Sequence, residues 1–140
     1  MAADVRAAFV IPGPGATQGS MTFLGNGRVM HPAKLTAWRA LAMPIVRANT
    51  RATLTVPVEV KVVALFTRPA SHYGTGRNAG GIKASAPRYP PLDVDKLARA
   101  VNDVLQQGGL IANDSLIWHN DSFKFYTDQD AETHIEVTWT

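Results

Sequence analysis

With 140 residues, 46% of them hydrophobic and 18% charged, the chain has the make-up of a single globular domain, 1–140, with a core of its own. It has no cysteine, which excludes disulfides, thiolate metal ligation and a thiol nucleophile. No apolar run approaches the roughly 20 residues that cross a bilayer, and Pro12, Gly13 and Pro14 cut the first apolar stretch too short for a secretory signal. No membrane association and a cytoplasmic location are therefore expected.

The net charge of +3 conceals an asymmetry: residues 1–92 hold 11 Lys/Arg against two acids, and residues 93–140 hold three against nine. Two such halves can pair with each other, or the basic one can attract a polyphosphate.

In chain order, residues 4–11, "DVRAAFVI", read as a first strand, and "PGPGATQGS" as a loop. "MTFLGNGRVM" sets Gly25-Asn26-Gly27 between two short apolar runs, a hairpin signal. His31-Pro32 opens a helix whose apolar face is Leu35, Trp38, Leu41, Ala42 and Ile45, with Pro44 expected to kink or end it. "VEVKVVALF", 58–66, is the best strand pattern in the chain.

The next 25 residues, "TRPASHYGTGRNAGGIKASAPRYPP", have no helical or strand period and no acid. Arg68, Arg77, Lys83 and Arg88, interleaved with Tyr73 and Tyr89, make this either a nucleic-acid-binding loop or a solvated surface loop. A helix over 94–107 stops at Gly108-Gly109, short strands follow at about 115–119 and 122–126, and "ETHIEVTWT" alternates as a last strand. The expected fold class is α+β, a small mixed sheet packed with two main helices.

Chemistry concentrates in "PPLDVDKLARAVNDVL", 90–105. At 100° per residue, Leu97, Val101, Val104 and Leu105 form the buried stripe, while Asp95, Arg99 and Asn102 share the opposite face. Taken alone, Asp93 and Asp95 read as a helix cap and a dipole-favoured acid, with an Asp95–Arg99 ion pair one turn apart. Asp114, just past the helix, could join them if its strand returns beside the one feeding Asp93. Three clustered carboxylates then need a proton or a cation, and all-oxygen ligation favours Mg²⁺, with Mn²⁺ the alternative, over zinc. The four histidines show no ligand spacing, and neither a phosphate loop nor a nucleophile elbow is present.

"DVDKLARAVNDVLQQGGLIANDSLI" resembles the signature of the RusA family of Holliday junction resolvases: D-x-D-[NK]-L, a basic residue, D-[AV]-L, a Gly turn and [DN]-D before a hydrophobic strand. "TQGSMTFLGNGRVMHPAKLTAWRALA" and "GTGRNAGGIKASAPRYP" resemble segments of its phage-type branch, which would place the protein in a host cytoplasm. The resemblance implies a homodimeric, Mg²⁺-dependent endodeoxyribonuclease that binds four-way DNA junctions and makes paired nicks in recombination and repair. It assigns Asp93, Asp95 and Asp114 to the metal, Arg99 to the position of a catalytic basic residue that is often Lys, and Asn113 to the first acid of a frequent D-D pair. Arg68, Arg77, Lys83, Arg88 and Lys96 form the expected DNA-binding set. The rival readings are a branched-DNA-binding protein that cleaves weakly or not at all, and a nuclease preferring flaps.

Overall fold

The computed structural model describes residues 5–18, 22–25, 28–30 and 33–140. The chain runs through β1 (Val5–Pro12), the hairpin β2 (Thr22–Gly25) and β3 (Arg28–Met30), then α1 (Ala33–Ala48), β4 (Val58–Thr67), α2 (Val94–Gln107), β5 (Ile117–Thr127) and β6 (Glu132–Trp139). Four strands form one sheet in the order β1-β6-β4-β5. β6 is antiparallel to β1 and to β4, whereas β4 and β5 are parallel. A parallel pair needs a crossover, which α2 supplies. The architecture is the expected α+β one.

One sheet face meets both helices. Phe9 and Ile11 of β1, Val58, Val60 and Val62 of β4, and Ile135 and Val137 of β6 are buried against Leu35, Trp38, Ala42 and Val46 of α1 and Val101, Val104 and Leu105 of α2. Leu97 is buried as well, so the apolar stripe of α2 lies where its 3.6-residue period puts it. At the end of that helix a Cβ on Gly108 would lie 2.5 Å from Val46 Cγ1, and Gly109 adopts φ +85°. The first glycine permits the close approach of α1, and the second permits the left-handed turn that ends α2.

Four expectations need adjustment. β1 runs one residue past the expected end at 11 and closes on Pro12, which an edge strand tolerates, while residue 4 lies outside the described residues. α1 continues through Pro44 to Ala48: Ala40 and Pro44 are both exposed, so water can serve the carbonyl that the proline leaves unpaired, while buried Ala42 and Val46 hold the turn. The two short strands are one, β5; its polar middle reflects an edge strand with half-exposed faces rather than a turn. The basic loop has structure, with 3₁₀ turns at Ala70–His72 and Gly76–Asn78 and a Tyr73–Ile82 bridge; Lys83 N–H donates to His72 O at 2.8 Å. The expected hairpin forms, but its turn residues Asn26 and Gly27, like His31 and Pro32, lie outside the described residues.

Candidate active site

Asp93 occupies the N-cap position of α2 with extended backbone, φ −76° and ψ 119°, yet its carboxylate makes no capping bond. Its carbonyl accepts the Leu97 N–H at 3.2 Å, so the main chain alone opens the helix. The carboxylate stands 3.3 Å from Lys96 Nζ. Asp95, in the first turn, is exposed and has no hydrogen bond or ion pair among the described residues. Both acids sit at the positive end of the helix dipole, which favours their charge. The reading of Asp93 as a side-chain cap is therefore set aside: two carboxylates project at one helix end with no structural partner beyond Lys96.

Arg99, one turn on, is also exposed, and the Asp95–Arg99 pair that the spacing permits is absent among the described residues. Farther along that polar face, Asn102 Oδ1 accepts from Asn120 Nδ2 at 3.1 Å. This contact lays the face alongside β5. Nearer the acids, Lys124 Nζ of β5 donates to the carbonyl of Leu92, the residue before Asp93. Sequence reasoning passed over Lys124. The available signal was that it is the only basic residue after Arg99, set in a strand among aromatics.

Asp114 lies elsewhere. Asn113 Oδ1 accepts from Ser115 N–H at 2.9 Å, capping a 3₁₀ turn, and the Asp114 N–H donates to Gln106 Oε1 at 2.9 Å. Gln106 is eleven residues beyond Asp95 on α2, about 16 Å at 1.5 Å per residue. β5 runs parallel to β4, so it starts at the far end of α2 rather than beside Asp93. The expected gathering of three carboxylates does not occur within one chain, and no group of three or more His, Cys, Asp or Glu is close enough to hold a metal among the described residues.

The basic set divides. Arg68 is engaged internally: it donates to Pro87 O at 3.0 Å, approaches His72 Nδ1 at 3.4 Å, and lies 4.3 Å from the Tyr126 ring centroid. It anchors the loop on β5. Arg77 and Lys83 are exposed on the walls of an open concavity of about 700 Å³, without ion pairs among the described residues. Arg88 is exposed beside Tyr89, and Lys96 serves Asp93. The unlike halves also pair in part, through Arg6–Glu136 and through the half-buried Arg39–Asp103 contact that Gln18 joins. His119 accompanies Glu59 at 3.0 Å and His134 accompanies Glu132 at 2.7 Å. The hydrogen bond to Glu59 is the largest influence on the His119 pKa, and with help from Asp121 it raises that pKa above its ordinary value.

The family model described as Endodeoxyribonuclease RusA matches residues 12–138, so the match includes both ends of α2 and the basic loop. A search of the curated proteins gave no match. No helix among the described residues is long and apolar enough to cross a membrane.

Proposed function

We propose, for a chain that belongs to the endodeoxyribonuclease RusA family, that it resolves four-way (Holliday) DNA junctions by paired, Mg²⁺-dependent nicks in recombination and repair, acting as a homodimer. The observation that carries the reading is the Asp93/Asp95 pair, exposed at the mouth of α2 and used neither as a cap nor in a buried ion pair. Exposed oxygen donors without thiolate or imidazole suit a hard divalent ion, Mg²⁺ or Mn²⁺. Bound there, the ion would supply an acidified water and charge neutralisation at a phosphate.

The chain's own residues have separable tasks. Arg99 stays protonated throughout, so it takes phosphate charge and moves no proton. Lys96 orients the Asp93 carboxylate, and Lys124, bonded to Leu92, holds the lead into the helix. Arg77, Lys83 and Arg88 offer phosphate contacts along the junction arms, which makes binding steeply salt-dependent.

The separation of Asp114 from Asp95 favours a centre completed between two copies, each contributing Asp93 and Asp95 to one site and Asp114 to the other. A two-fold dimer also matches two opposed nicks. The same separation supports a second reading: a chain that remains monomeric would bind branched DNA without cutting it.

The test uses labelled four-way, flap and linear duplex DNA, with Mg²⁺ or EDTA, and Asp95→Asn alongside. Paired nicks confined to the junction, dependent on Mg²⁺ and on Asp95, are expected. Full cleavage by Asp95→Asn would sink the metal assignment, equal cutting of flaps would broaden the substrate, and tight binding without nicking would favour the second reading.

A further inference from the structure

Beside the acids lies a cavity of about 430 Å³, walled by Trp38, Leu41, Phe66, Pro90, Pro91 and Tyr126. Its volume falls within the roughly 300–1,000 Å³ of small-ligand sites. Leu92 also lines it and is bonded in sequence to Asp93, so the apolar wall runs directly into the carboxylate end of α2. Leu41 belongs to the helical stripe that the sequence assigns to the core, yet it is 47% exposed, because the cavity lies where its packing partner would be.

We infer that this cavity receives one unstacked nucleobase of the branched DNA, next to the phosphate that is cut; the inference rests on the nuclease reading above. Three features select a base over other apolar guests. Half-buried aromatic rings from β4 and β5, Phe66 and Tyr126, offer surface for stacking, which is sequence-tolerant and worth about 1–3 kcal/mol per base. A cation stands on its lining, exposed Lys34, where a phosphate beside an extruded nucleotide can be met. The walls are also preformed. Prolines 14, 90 and 91, all on its lining, fix their own φ. Bases at a branch point have lost a stacking neighbour and cost least to extrude, so the cavity would favour branched DNA over continuous duplex without reading sequence.

The test places 5-iododeoxyuridine at each branch-flanking position of a four-way junction and at the matching positions of a linear duplex. The DNA is irradiated with the Asp95→Asn protein, and the crosslinked peptides are mapped. Crosslinks to Phe66 or Tyr126 from one branch position, at least tenfold above those from duplex, are expected. Leu41→Trp, a change at an exposed rim position, should fill the mouth and lower junction cleavage at least tenfold while leaving duplex binding within twofold. Crosslinks confined to the basic loop, or unchanged cleavage by Leu41→Trp, would overturn the inference even where Asp95-dependent nicking stands. A Leu41→Trp protein whose oligomeric state changes would assign the cavity to a subunit contact and overturn it equally. Absence of any nicking by the parent protein would instead count against the nuclease reading.

Discussion

Arg99 and His119 show how one residue's surroundings set its use. Arg99 is exposed one turn from Asp95 and pairs with nothing among the described residues, so its charge is available to DNA. Arg99→Ala should lower kcat for junction cleavage by about 10²–10³, the cost of removing one charge-stabilising donor. Arg99→Lys should recover most of that loss, because charge rather than proton transfer is required; a lysine variant as slow as alanine would show that the planar guanidinium matters. His119 gives a pH effect of known sign. Its folded pKa is raised, first by the Glu59 hydrogen bond, so the stabilisation is complete below the unfolded value of about 6.5 and disappears as pH rises through the folded value. An NMR titration should place the ring above 6.5, and His119→Gln should flatten the melting temperature across that window. A ring titrating below 6.5 would contradict the contact.

At the scale of elements, α2 shows what a hydrophobic period conveys and what it leaves out. Its buried stripe, polar face and Gly stop were all legible, because each depends on residues within a few positions of one another. The tight approach of Gly108 to Val46 was not legible, since it joins residues 62 apart in sequence. Gly108→Ala should cost about 1–3 kcal/mol by overpacking, read as a lower midpoint in thermal or denaturant unfolding. A neutral result would mean that α1 shifts freely at that end. α1 and β5 were misjudged for one shared reason. Pro44 and the polar run His119–Ser122 are local breaking signals, and tertiary contacts on their buried neighbours override them. In the basic loop the reverse holds: turns stabilised by single backbone bonds leave no periodic trace.

Across the whole molecule, the sheet order decides how the acids are distributed. Because β5 pairs in parallel with β4, Asp93 and Asp95 stand at the start of α2 and Asp114 is bonded to Gln106 near its end. Mixing Asp95→Asn with Asp114→Asn protein gives a decisive outcome. If centres are shared between copies, the mixed dimer retains one intact centre and should recover single-strand nicking that neither variant has alone. No recovery, with mixed dimers verified by mass, would place each centre within one chain.

Family membership, the α+β class and the two helices were determined by the sequence itself, because motif spacing and amphipathic period are local properties of the chain. Only the tertiary structure decided that Asp93 is not a cap, that Arg68 anchors its own loop, that Lys124 reaches the start of α2, and that Asp114 is bonded to Gln106, about 16 Å along the helix from Asp95. Each of these depends on which strand lies beside which, a choice made by burial of the whole core rather than by any short stretch of residues.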